Sequence, residues 1–174
     1  MGGSRALGCP QVDILVTVGM GRWPFDRLVA AIGPICAEHR VFAQIGTASV
    51  VPPCPHARFL SYQELLDRIA AADVVVTHAG NTVRLVQRAG KVPIAVARLA
   101  ANGEMGNDHQ VAYLWEEAAS GPVVAVWDVA ELAEAVRRHP VVQARLLAER
   151  PLPSPADPDR VAAILDAVCT ELIR

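Results

Sequence analysis

Two short stretches of this chain gather residue types that could act on a bound anion. The first, His78-Ala79-Gly80-Asn81-Thr82, follows the β-branched run Asp73-Val74-Val75-Val76-Thr77 and precedes helical spacing through Val83, Val86 and Arg88-Ala89-Gly90. Small residues between a strand and a helix let first-turn N–H groups face a phosphate, and the positive end of the helix dipole favours negative charge there. The second is the polar loop Asn102-Gly103-Glu104 to Gly106-Asn107-Asp108-His109-Gln110, which follows the apolar run 92–97. Strand, small-residue turn, helix, strand, polar loop is the unit that brings such groups to the carboxyl edge of a parallel sheet, where α/β folds hold nucleotides.

Each of these residues also has a plainer reading. Gly80 serves equally as a strand-to-helix turn, and His78 alone reads as a hydrogen-bonded structural histidine. Asp108 suits the N-cap of a helix over 108–119, a role compatible with a ligand contact. Arg98 reads either as a diphosphate partner or as a solvated loop arginine. Met20, Trp23 and Phe25 read first as packing residues.

The elements that must position these groups are legible along the chain. Residues 12–18 form a near-continuous apolar run, the mark of a strand buried on both faces. After Gly19-Met20-Gly21-Arg22-Trp23, Pro24 opens a helix with Phe25, Leu28, Val29 and Ile32 on one face. Strands follow over 41–45 and 58–60, separated by a Pro-rich loop. Ser61 with Glu64 makes a capping box for a helix over 61–71. Strands over 73–77, 92–97 and 123–126 alternate with helices over 81–89 and 108–119. Asp128 with Glu131 makes another capping box, for a helix over 129–138, and residues 140–149 read as a further short helix. Alternating strands and helices predict an α/β, Rossmann-like doubly wound parallel sheet of about six strands; the order 3-2-1-4-5-6 is expected from the family resemblance described below. The domain occupies 1–150. Pro151, Pro153, Pro155 and Pro158 then form a stiff linker, and a C-terminal helix carries the stripe Val161, Ile164, Leu165, Val168 and Leu172.

Composition narrows the classes. At 174 residues, 52% hydrophobic and 20% charged, the chain suits one domain with a packed core. With 16 basic and 18 acidic residues and a pI near 6.2, it lacks the clustered positive field that nucleic-acid binding requires. No apolar run approaches the roughly 20 residues that span a bilayer, and no basic region precedes an apolar signal stretch, so a soluble cytoplasmic protein is expected. Cys9, Cys36, Cys54 and Cys169 make no Cys-x-x-Cys pair and read as free thiols, not as a zinc site or disulfide framework. Cys54, between Pro53 and Pro55, has no evident redox partner.

Val16-Thr17-Val18-Gly19 with Pro24-Phe25-Asp26-Arg27-Leu28-Val29, Phe59-Leu60-Ser61-Tyr62, Thr77-His78-Ala79-Gly80 with Gly90-Lys91-Val92-Pro93-Ile94, and Gly103-Glu104 with Asn107-Asp108-His109-Gln110 occur in that order. Over about residues 12–138 this succession resembles the carboxy-terminal domain of family 28 glycosyltransferases. The resemblance is strongest to the split type, in exopolysaccharide or N-glycan precursor synthesis, whose donor-binding half is a separate polypeptide. It implies the C-terminal half of a GT-B fold binding a UDP-sugar as substrate. Donor contacts would come from Gly19, Met20, Leu60, Ser61, His78, Gly80, Asn81, Thr82 and Arg98. Asp108 and Gln110 would bind sugar hydroxyls, with Asn107 and His109 beside them. No catalytic residue is assigned. No cofactor or metal is expected, because none of the expected strands ends in an Asp-x-Asp; Asp157-Pro158-Asp159 lies beyond the sheet.

The resemblance further implies an inverting transferase active with a membrane-associated, acceptor-binding partner subunit, which would hold the chain peripherally at the inner membrane. The apolar surface that such a partner covers predicts a homodimer in isolation. The sequence departs from the family at the ribose. Full-length relatives carry a glutamate there for the ribose diol, and aligning Thr82 with their serine puts Leu85 in its place, with the glycine turn one residue short. Leucine accepts no hydrogen bond, so ribose recognition is weaker or supplied elsewhere. That departure supports a second reading, a non-catalytic nucleotide-sugar-binding or scaffold subunit that stabilises a partner transferase.

Overall fold

The computed structural model describes residues 11–150 and residue 152. The expected linker and last helix, Leu152 apart, and Cys9 and Cys169 lie outside the described residues. Six parallel strands form one sheet: β1 (Asp13–Thr17), β2 (Arg40–Gln44), β3 (His56–Ala57), β4 (Val74–His78), β5 (Ile94–Val96) and β6 (Val124–Val126). Their order is β3-β2-β1-β4-β5-β6, the doubly wound topology expected from the sequence. Among the described residues the α-helices are α1 (Asp26–Ala31), α2 (Gly33–Glu38), α3 (Tyr62–Ala71), α4 (Asn81–Arg88), α5 (His109–Ser120) and α6 (Leu132–Glu149).

The period of two along each strand explains how both faces are covered. Ile14, Val16, Val74, Val76, Ile94 and Val96 meet Phe25, Leu28 and Ile32 of the α1 region and Leu132 and Val136 of α6. On the other face, Leu15 and Val75 meet Ile69 of α3 and Val86 of α4, while Ala95 meets Val83 of α4 and Leu114 of α5. Burying each such branched side chain contributes about 1.5–3 kcal/mol, so this pattern fixes the register of strands within the layers.

Four local expectations need correction. The third strand lies at His56–Ala57 instead of 58–60, because residues 55–58 supply the carbonyls for β2 and the turn after it: Ala43 N donates to Pro55 O, Ile45 N to Ala57 O and Gly46 N to Arg58 O. The apolar Phe59 and Leu60 have left the sheet by then. Pro24 precedes the first helix instead of opening it, since α1 begins at Asp26. Asp128 caps Ala130 N at 2.9 Å, heading a 3-10 turn. The expected helices over 129–138 and 140–149 form, from Leu132 on, one element, α6, running through Pro140. An interior proline costs about 3 kcal/mol. Here the residues around it are pinned to the entry of β5: His139 Nε2 donates to Val92 O at 2.7 Å and Gln143 Oε1 accepts from Val92 N at 3.0 Å.

Cys54 does meet a thiol. Cys36 of α2 and Cys54 pack against the same apolar cluster, and burial pushes the Cys36 thiol up and the Cys54 thiol up to about 12, so both stay protonated. Among the described residues no helix is long and apolar enough to cross a membrane.

Candidate functional site

In the sheet order, β1 has β2 on one side and β4 on the other, so the connections leaving β1 and β4 diverge and open a crevice above their carboxyl ends. A cavity of about 370 Å³ occupies it. Thr17, Gly19 and Met20 from β1 and its loop, Gln44 from β2, and His78 from β4 line it. Leu60, Ser61, Tyr62 and Leu65 from the start of α3 form one wall, and Asn81, Thr82 and Leu85 of α4 form the other.

Gln44 organises the floor. Its Oε1 accepts from Thr17 Oγ1 at 2.6 Å and from Gly19 N at 3.0 Å, while Nε2 donates to Gly19 O at 2.9 Å and Arg58 O at 2.8 Å. All four bonds available to a side-chain amide are therefore made within the protein, and the loops after β1 and β3 are tied to one buried group. Ser61 is similarly committed: its hydroxyl accepts from Glu64 N and its own N–H donates to Glu64 Oε2, the capping box that the sequence predicts.

His78 sits at the centre with two glycines pressed against its ring. A Cβ on Gly19 would lie 2.6 Å from Cε1, and one on Gly80 2.5 Å from Nε2. Gly19 also has φ +79°, a conformation that side chains disfavour. Both glycines are thus demanded by the imidazole itself. Burial, reinforced by the nearby Arg98 charge and opposed by a backbone hydrogen bond with Thr17, pushes His78 down to about 4, so the ring is neutral at pH 7. Its Nδ1 is buried with no hydrogen-bond partner. Immediately beyond, α4 begins at Asn81 with no side-chain cap on its first turn. First-turn amides have no acceptor within their own helix. The His78 side chain and the uncapped first turn of α4 line one cavity, and the positive helix end there suits an anion.

Seven of the residues singled out from sequence line this cavity: Gly19, Met20, Leu60, Ser61, His78, Asn81 and Thr82, with Gly80 against the His78 ring. The polar loop is otherwise engaged. Arg98, read as solvated or ligand-bound, is instead 3% exposed, donating from Nη2 to Val18 O at 2.6 Å and stacking on Phe25. Gln110 is buried and accepts from Arg98 N at 3.1 Å. Asp108 stands at the N-cap position of α5, yet its carboxylate makes no capping bond and accepts from Ala100 N at 2.8 Å. Asn107 Oδ1 takes the His109 N–H at 3.2 Å and touches the His109 ring. These five residues do not line the cavity.

Thr17, Gln44, Tyr62, Leu65 and Leu85 line it without having been singled out as contacts. Gln44 carried a usable signal, a polar residue inside an apolar run that must be buried. The others are indistinguishable by type from core and surface residues. Among the described residues no cluster of three metal-ligating side chains occurs.

No protein-family model matches the chain, and no curated protein does. Among solved structures, it is similar to CalG4, the calicheamicin glycosyltransferase, at TM-score 0.56 and 17% identity, covering 99% of this chain and 47% of that one. It is also similar to MurG of Acinetobacter baumannii, at TM-score 0.56 and 15% identity, covering 95% of this chain and 55% of that one. The chain thus spans about half the length of these proteins and has the Rossmann-like architecture of the C-terminal half of a GT-B fold.

Proposed function

We propose that the chain is the donor-binding half of an inverting glycosyltransferase, which takes a sugar from a nucleoside diphosphate, of the UDP-sugar type that the family resemblance implies. The observation that carries this reading is the uncapped first turn of α4, whose Asn81 and Thr82 line the switch-point cavity. The diphosphate lies against the Asn81 and Thr82 amides. An acceptor hydroxyl attacks the anomeric carbon from the face opposite the diphosphate. The carbon–oxygen bond to the diphosphate breaks with its electron pair remaining on the departing oxygen, and the amides and helix dipole stabilise that charge. The hydroxyl proton passes to a base on the partner subunit that holds the acceptor, since no Asp or Glu lines the cavity.

That same lack of a carboxylate supports a second reading, a nucleotide-sugar-binding subunit that stabilises a partner transferase without taking part in the chemistry. Both readings predict that UDP raises the thermal midpoint of the purified chain. A ligand at 100 times its Kd stabilises by about 2.7 kcal/mol. No shift with UDP or a UDP-sugar, alone or with an acceptor-binding partner, overturns both. Gly80→Ala in the assembled enzyme separates them: its methyl intrudes on the His78 ring and disturbs the donor cavity, so a transferase loses activity while a scaffold retains it.

A further inference from the structure

We propose that β6 is the contact edge of a symmetric homodimer, in which the β6 strands of two copies of this chain pair antiparallel and join their sheets. The proposal is independent of the donor-site reading, since β6 lies at the far edge of the sheet, two strands from β4. Among the described residues β6 pairs only with β5, in parallel. Val124 N donates to Pro93 O at 2.9 Å, so Val124, and Val126 two residues on, turn their backbone groups to β5. The N–H and C=O of the middle residue, Ala125, therefore point out of the sheet, and no backbone partner meets them among the described residues. A bare edge of this kind is a template for another strand.

The surroundings of the edge select a second copy as its occupant. An antiparallel pair centred on Ala125 makes both available bonds at once, because Ala125 of each copy donates to and accepts from Ala125 of the other. The two-fold axis is then perpendicular to the joined sheet, so the two α6 helices meet on one face and the two α5 helices on the other. On the α6 face a groove of about 370 Å³ runs along β6, with Val124, Ala135 and Val142 among its apolar residues and Glu131, Glu134 and Arg138 as its charged ones. All three charged side chains are exposed, and neither Glu131 nor Arg138 has an ion-pair partner among the described residues. The carboxylates come first along this stretch of α6 and the guanidinium later, so two copies running antiparallel set the acidic end of each against Arg138 of the other. On the α5 face, Trp115 and Trp127 stack with ring centroids 4.7 Å apart, yet remain 62% and 43% exposed. Pairing centred on Ala125 sets Trp127 opposite Val123 of the second copy, and so covers rings that the single chain leaves in water. Tryptophan is enriched among the residues that anchor interfaces.

Sedimentation equilibrium of the full chain, with hydrogen exchange read at the Ala125 amide, tests this. The expected result is a dimer, with that amide protected only as the dimer forms. Arg138→Glu sets like charges against one another and should raise the dimer Kd about tenfold or more. Ala125→Pro removes the donor at a position where an edge strand tolerates proline, and should leave a monomer. A dimer that Arg138→Glu leaves unchanged overturns the proposal, because a substitution on the exposed face of a helix does not threaten the fold. A monomer at every concentration overturns it too. A protected Ala125 amide would then show that residues 153–174 of the same chain cover the edge, and an exchanging one that it is left to a different protein.

Discussion

The crevice above β1 and β4 and the polar loop between β5 and α5 look alike in composition, each offering histidine, asparagine and glycine at a strand end, yet they are opposite in what they leave free. In the loop the carboxylates and amides accept from neighbouring groups, although Arg98 Nε is buried without a partner. Glu104 clamps Arg27 through two bonds of 2.9 Å and takes the Leu99 N–H at the same distance, Gln110 takes the Arg98 N–H, and Asp108 takes that of Ala100. In the crevice, Gln44 and Ser61 are likewise consumed, but His78 Nδ1 and the first turn of α4 keep unused capacity. A polar side chain is available to a ligand only when its own fold has not already engaged it, and composition does not report that.

The contrast breaks most visibly in the loop. Glu104→Ala removes the 5%-exposed partner of Arg27 and should lower unfolding stability by about 4 kcal/mol in urea titration, with nucleotide affinity unchanged. An equal loss of affinity would mean that the loop belongs to the site.

The crevice should declare itself through pH. The folded His78 titrates at about 4 against an ordinary 6.5, so on acidification the unfolded chain takes up its proton first. The stability linked to this group is complete above pH 6.5 and is lost between 6.5 and about 4, a loss of about 3 kcal/mol. Subtracting the urea-derived profile of His78→Asn from that of the native chain isolates it. A flat difference would show that the ring is not buried neutral.

Gly80→Ala drives a methyl into the imidazole and should weaken UDP binding at least tenfold, about 1.4 kcal/mol by calorimetry. The smallest effect belongs to Ser61→Ala, which removes the α3 cap at about 1 kcal/mol of stability while sparing nucleotide affinity.

Most of the fold was legible from local pattern. Uninterrupted apolar runs marked β1 and β4, alternation of strands with helices marked a doubly wound parallel sheet, and the Ser61 and Glu64 spacing marked the start of α3. The errors fell where a distant partner overrode local preference. Phe59 and Leu60 read as strand, yet β2 had already taken its bonds from residues 55–58. Residues 129–138 and 140–149 read as separate helices, but α6 runs through Pro140, with Val92 holding His139 and Gln143 on either side of it.

What the sequence by itself determined was which segments are strands and helices, and hence which strand ends share an edge, because periodicity and capping act over a few residues. Only the tertiary structure decided which polar groups there remain unpaired. Gln44 is engaged by Gly19 and Arg58, and Arg98 by Val18, across 25, 14 and 80 positions of chain. Hydrogen-bond capacity is finite and is allotted among neighbours in space, so the freedom of His78 to meet a ligand is a property of the packed sheet and not of its neighbours in sequence.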